Sequence, residues 1–341
     1  MKRTLVLFVM LFLPLGAQAS EEVYVFNWSQ YIDPAVLELF EKETGIKVKY
    51  STFESNEALF AKLKILKKDG YDVAFPSTYF VERMRRLGML KPLDHNKLPN
   101  MKNLNPDLLN KPYDPDNAYS IPYMWGSSAI GVNAKAVDPA SITSWNDLWN
   151  PAYKGKVLLM DDVRDVFAMS LRSLGYSGND TNHEHLKEAY EKLLKLKPSV
   201  KVFNSDSPKQ PFLNNEVVIG QIWGGEVYQA NEENPNIMYI YPKEGATFWV
   251  DNMVIPASTR NIDYAHAFID FMCRPDVAKM NCEYVGYATA NVEAQKMLDE
   301  KTRNHKAVYP DKVDIDRGEF QADVGETIII YEKYWEMLKT Q

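Results

Sequence analysis

Val23-Tyr24-Val25-Phe26-Asn27-Trp28 is a run of β-branched and aromatic residues that predicts a strand. Asp33-Pro34 then supplies a helix N-cap and a first helical residue, and Val36, Leu37, Leu39 and Phe40 recur at helical spacing until Gly45 stops the pattern. Residues 46–53 are β-like. Residues 56–68 are strongly helical, with Leu59, Phe60, Leu63 and Leu66 on the apolar side, and 71–75 read as a short buried strand closed by Pro76. This βαβαβ order predicts a mainly parallel sheet covered by helices, whose ligands bind beyond the carboxyl ends of the strands. The loops after Trp28 and Phe75 are thereby singled out.

From Pro92 to Asn117 the chain is rich in Pro, Asn and Asp and reads as loops and short turns. Strand patterns at 130–133 and 250–257 lack flanking helices and are expected to cross between two lobes. Between them lie a strand over 156–160, helices over 163–174 and 185–196, and a buried strand over 217–223, a second α/β unit inserted in the first. Helices are expected again over 263–273 and 275–282, and an amphipathic one over 327–339. One lobe should comprise 20–126 with 250–295, the other 127–249 with 296–341. A length of 341 residues suits two such domains. There is no repeat, low-complexity tract or flexible linker.

Lys2 and Arg3, the apolar run 5–15 broken only by Pro14, and Ala17-Gln18-Ala19 form a bacterial secretory signal over 1–19. The run is shorter than the roughly 20 residues a bilayer span needs. The first Cys is Cys273, which argues against a lipid anchor, so the mature chain is expected to be soluble in the periplasm. An oxidising compartment makes a Cys273–Cys282 disulfide conceivable. A helix begun at Pro275 would carry Cys282 about 10 Å away, which favours two free, buried thiols. Net charge is −7; without the signal, 37 basic residues stand against 46 acidic ones, or −9. That sign suits a cationic ligand and opposes a nucleic acid or an anionic membrane.

The dinucleotide, P-loop and nucleophile-elbow signatures are absent, so no cofactor is implied and a secreted hydrolase has no signature behind it. Asp161-Asp162-Val163-Arg164-Asp165 matches the D-D-x-x-D pattern of Mg²⁺–diphosphate sites, with its acids expected on one helix face. The α/β context is wrong for it, and an acidic first helical turn explains it as well. His183 and His185, the closest histidine pair, are spaced i, i+2 and do not share a face. Aromatic-plus-polar clusters stand at predicted strand ends: Trp28-Ser29-Gln30-Tyr31, Pro76-Ser77-Thr78-Tyr79, Trp223-Gly224-Gly225, Phe248-Trp249-Val250-Asp251 and Gly286-Tyr287. Such rings, joined by Asp162, Asp165 and Asp251, would make a cage for an organic cation.

The same segments, with Ser120-Ile121-Pro122-Tyr123-Met124-Trp125-Gly126, Thr143-Ser144-Trp145-Asn146-Asp147-Leu148-Trp149, Tyr241-Pro242-Lys243-Glu244-Gly245 and Arg274-Pro275-Asp276-Val277-Ala278-Lys279, resemble the polyamine-binding proteins of bacterial ABC importers. The likeness spans essentially the whole mature chain and is nearer the spermidine receptors than the putrescine ones. It implies a two-lobed α/β periplasmic binding protein fold of type II that closes on its ligand and, as a monomer, delivers it to an inner-membrane permease; a sensor docking on a membrane signalling protein is the alternative. It implies that Trp28, Tyr31, Tyr79, Trp223, Trp249 and Tyr287 wall the methylene chain. Asp162, Asp165 and Asp251 would meet the ammoniums, and Ser29, Ser77 and Gln321 would add neutral hydrogen bonds. Two positions depart from the family: Gln30 stands where Glu or Asp is expected, and Asp165 where spermidine receptors carry Glu. Spermidine or norspermidine is expected over putrescine.

Overall fold

The computed structural model describes residues 21–66 and 68–340; the expected signal segment lies outside them. The chain opens with β1 (Glu22–Trp28), α1 (Pro34–Thr44), β2 (Lys47–Phe53), α2 (Asn56–Ile65), β3 (Val73–Ala74) and α3 (Thr78–Arg86). Asp33 caps α1 by accepting the Ala35 amide at 2.8 Å, and Gly45 ends it with φ 76°, a left-handed conformation natural to glycine. α2 stops at Ile65, before the expected 68, because Leu66 already turns to extended backbone on the way to β3. β3 is shorter than the expected 71–75. Asp72 spends its carboxylate on Tyr24, Thr259, Arg260 and Asn261, and Pro76 has no N–H to extend the ladder.

Short 3₁₀ turns then lead to β4 (Ser120–Asn133). This strand starts ten residues before the expected 130. The hidden part contains Pro122, which reads as a breaker; the register with the neighbouring strand shifts between Pro122 and Met124, so the missing N–H falls at a bulge. The inserted unit follows: β5 (Val157–Leu159), α4 (Val163–Ser173), α5 (His183–Leu196), β6 (Val200–Phe203), α6 (Lys209–Leu213), β7 (Ile219–Trp223), α7 (Gly224–Glu233) and β8 (Ile237–Ile240). β9 (Thr247–Val254) returns, followed by α8 (Ile262–Met272), α9 (Pro275–Val285), β10 (Ala288–Thr289), α10 (Val292–Met297), α11 (Glu300–Asn304), α12 (Lys312–Arg317), β11 (Glu319–Phe320) and α13 (Ile328–Thr340).

The main sheet order is β2-β1-β3-β9-β4-β7-β5-β6. The triplets β2-β1-β3 and β7-β5-β6 are parallel, and β4 and β9 join them antiparallel to each other and to their neighbours. Two main cores result. One gathers buried residues from 23–124 and 249–290, the other from 129–248 and 324–338. On β9 the neighbours Phe248 and Trp249 point into different cores, so the strand passes from one to the other within one residue. Among the described residues no helix is long and apolar enough to cross a membrane. Cys273 and Cys282 are free and buried, and Cys282 Sγ donates to the Tyr287 carbonyl at 3.0 Å.

Candidate ligand cleft

Both parallel triplets aim the carboxyl ends of their strands at one cleft, which encloses about 830 Å³ counting its mouth open to solvent. All thirteen residues singled out in the sequence line it. Trp28 ends β1, and its indole donates to the Phe75 carbonyl at 2.9 Å, which holds the ring across the end of β3. Ser29, Gln30 and Tyr31 follow. Gln30 takes a left-handed conformation (φ 52°), so the loop reverses there and Tyr31 is buried while Gln30 stays at the exposed rim.

At the start of α3, Ser77 and Tyr79 form a network with Asn56. The Asn56 amide donates to both hydroxyls at 3.1 Å and its carbonyl accepts the Ser77 amide at 3.0 Å. Ser77 Oγ in turn donates to Asp251 at 2.6 Å. Asp251 is 5% exposed, and Tyr31 stands beside it. Burial pushes the Asp251 carboxyl up to about 7, against the Ser77 hydrogen bond. Trp249, Tyr287 and Tyr31 pack edge to face, with centroids 5.2 Å apart for the first pair and 5.6 Å for the second. Two glycines make room for these rings. A Cβ on Gly126 would come within 2.6 Å of the Trp249 ring, and one on Gly225 within 2.5 Å of the Tyr287 ring.

From the second parallel triplet come Asp162, Asp165 and Trp223. Asp162 caps α4, its carboxylate accepting the Asp165 amide at 2.9 Å. Asp165 is 2% exposed and accepts from the Trp223 indole at 2.8 Å and from the Gln321 amide at 3.0 Å. Burial, then the neighbouring Asp162 charge, raises Asp165 to about 7, and burial raises Asp162 too. Arg164 between them donates to the Ala322 carbonyl and to Asn179 and lies 5.1 Å from the Tyr79 ring centroid, and its charge opposes the rise of both acids without lining the cleft.

Of the D-D-x-x-D acids, Asp162 and Asp165 meet in the cleft as the spacing expects, and Asp161 does not join them. α4 begins only at Val163, so Asp161 precedes it and pairs with Lys339 at 2.6 Å. Among the described residues no three His, Cys, Asp or Glu are grouped to hold a metal ion. His185 stacks on Tyr176 and pairs with Asp180, away from the cleft.

Seven lining residues escaped the sequence reading: Phe53, Glu54, Asn56, Ser205, Asp206, Glu226 and Gln229. Phe53 ends β2, and Ser205 and Asp206 follow β6, so the strand-end rule carried through every strand finds them. Glu226 lies in the first turn of α7, three residues past Trp223. With these included, the described lining carries six acids, namely Glu54, Asp162, Asp165, Asp206, Glu226 and Asp251, and no lysine or arginine. Asp165 and Asp251 are buried, Asp162 and Glu226 half-buried, and Glu54 and Asp206 exposed. A buried carboxylate is costly to ionise without a cation beside it, and no lysine or arginine lines the cleft to serve as one.

Two α/β halves joined by crossing strands around a ligand cleft define a two-lobed binding protein of type II. The model of the bacterial extracellular solute-binding proteins matches residues 35–308, and the chain belongs to that family. The spermidine/putrescine-binding periplasmic protein of Escherichia coli K12 is 51% identical over 323 residues, covering 95% of this chain and 93% of that one. The putrescine-binding periplasmic protein PotF of the same organism is 36% identical, over 87% and 85% of the two chains. Among solved structures, the spermidine/putrescine ABC transporter substrate-binding protein PotD of Streptococcus pneumoniae superposes with a TM-score of 0.81 at 40% identity, covering 94% of this chain and 99% of its own. The likeness to polyamine receptors seen in short segments therefore holds along nearly the whole chain.

Proposed function

We propose that this protein captures a linear polyamine in the periplasm and delivers it, as a monomer, to an inner-membrane ABC permease. The observation that carries this reading is the cleft's lining of six carboxylates and no base between aromatic walls. A polyamine is a row of ammoniums separated by methylenes. Trp28, Tyr31, Tyr79, Trp223, Trp249 and Tyr287 are placed to pack the methylenes and to offer their π-faces to the charges, at about 0.5–2 kcal/mol per cation–π contact. Asp251 and the Asp162/Asp165 pair set where ammoniums come to rest. Ser77 and Gln321 hold those carboxylates by direct hydrogen bonds, and Ser29 and Gln30 offer neutral groups at the rim. No bond is made or broken; the work is recognition.

Residues 20–126 with 250–295 form one lobe and 127–249 with 296–341 the other, and bending of β4 and β9 closes them on the ligand. The names of the relatives, transporter binding proteins, support delivery to a permease over signalling. Spermidine or norspermidine is the expected ligand, with putrescine weaker, since a longer amine pairs more of the six acids. Titration calorimetry of the mature protein with putrescine, spermidine, norspermidine and spermine tests this. Micromolar or tighter binding of a triamine is expected, and no micromolar binding of any of the four would refute the proposal.

A further inference from the structure

Beyond Asp251 and the Asp162/Asp165 pair, three more carboxylates line the cleft; Glu54 and Asp206 are exposed to solvent, and Glu226 is the one withdrawn from it. Glu226 is half-buried in the first turn of α7, and a first-turn acid ordinarily points to solvent and serves the helix dipole. Here it lines the cleft instead. Gly225, just before it, lies so close to the Tyr287 ring that no Cβ would fit, and the Tyr287 hydroxyl feels the charges of Glu226, Asp251 and Asp165 together. Glu226 is thus a third negative site around one phenol. The nearest protein cation is Lys209, but its ammonium is spent on Gln229 at 2.8 Å and Glu233 at 3.3 Å. Burial raises the Glu226 carboxyl to about 7, against the Lys209 charge and a hydrogen bond from the Lys209 backbone amide, which leaves the rest of the carboxylate for a ligand. On the other wall, Ser29, Gln30 and Tyr31 contribute no charge.

We infer that Glu226 is a specificity-determining residue, the partner of the third ammonium of a triamine, and that it makes the cleft discriminate triamines from diamines. The inference rests on the polyamine reading of the cleft. A diamine satisfies Asp251 and the Asp162/Asp165 pair and leaves Glu226 without a cation; a triamine relieves all three. Discrimination then arises less from added contact area than from the cost of a carboxylate left unpaired.

Calorimetry at pH 8 with the unaltered protein and Glu226→Gln tests this, using spermidine and putrescine. The variant should lose at least tenfold in spermidine affinity and less than threefold in putrescine affinity. Equal losses for both amines, or no loss for spermidine, would overturn the inference. Binding of neither amine by the unaltered protein would instead remove the functional reading beneath it. A measurement on the unaltered protein guards against a misfolded variant: one of the two monoacetylspermidines, which lack a terminal charge, should bind it about as weakly as putrescine does. Glu226→Gln, if its melting temperature is retained, should no longer separate that compound from spermidine. If neither monoacetylated form binds more weakly than spermidine, the third ammonium has no partner in the cleft and the inference fails.

Discussion

Asp251 shows what a binding residue gives up while it waits for its ligand. It is buried, it has one strong hydrogen bond from Ser77, and its carboxyl is held near 7. Folding therefore favours its protonated form. Between its ordinary range near 4 and about 7 the native state holds more protons than the unfolded one, so this site's contribution to stability falls as pH rises through that window. Asp165 acts in the same direction. The ligand-free Asp251→Asn variant should accordingly melt higher than the unaltered protein, by a margin that grows from pH 5 to pH 8 in thermal scans. The same substitution should weaken spermidine binding at least tenfold by calorimetry, because it leaves an ammonium unpaired. Binding requires the ionised carboxylates, so affinity should drop as pH falls below about 7, with protons released on complex formation. Titrations at pH 6 in buffers of different ionisation enthalpy would count them.

At the scale of elements, the cleft depends on close approaches that its own lining residues do not reveal. The Trp249 wall on β9 lies against Gly126 on β4, where any side chain would strike a rigid indole. Gly126→Ala should push that wall into the cleft and lower spermidine affinity about tenfold, at a stability cost of about 1–3 kcal/mol in denaturant melts. The elements most legible in the sequence were those with local signals, such as α1 between Asp33 and Gly45, and the strand ends at Trp28 and Trp223 where aromatic residues meet polar ones. The front half of β4 was not legible, because Pro122 reads as a breaker until the bulge opposite β9 is known. Asp161 departs from the motif reading because the D-D-x-x-D spacing treats all three acids as helical, whereas the helix expected and found from Val163 leaves Asp161 ahead of its cap. Glu226 is hidden from the sequence because an acid in a first helical turn has a sufficient local explanation, and only the folded cleft shows that it lines the ligand space.

For the whole molecule, the bulk charge of −7 acts as a background field, whereas the six acids gathered between the halves are a local demand for cations. If a polyamine draws the halves together across them, small-angle scattering should show a smaller radius of gyration with saturating spermidine, and Asp251→Asn should need a correspondingly higher concentration to show the same contraction. The two cores bear on how such a molecule comes to exist. The first core is not filled until residues as late as Ala290 are present, and the second draws on Ile328, Tyr331 and Leu338, almost at the end of the chain. Neither core is complete in a chain cut short of these residues, so each half waits for nearly all of the polypeptide before its interior can close.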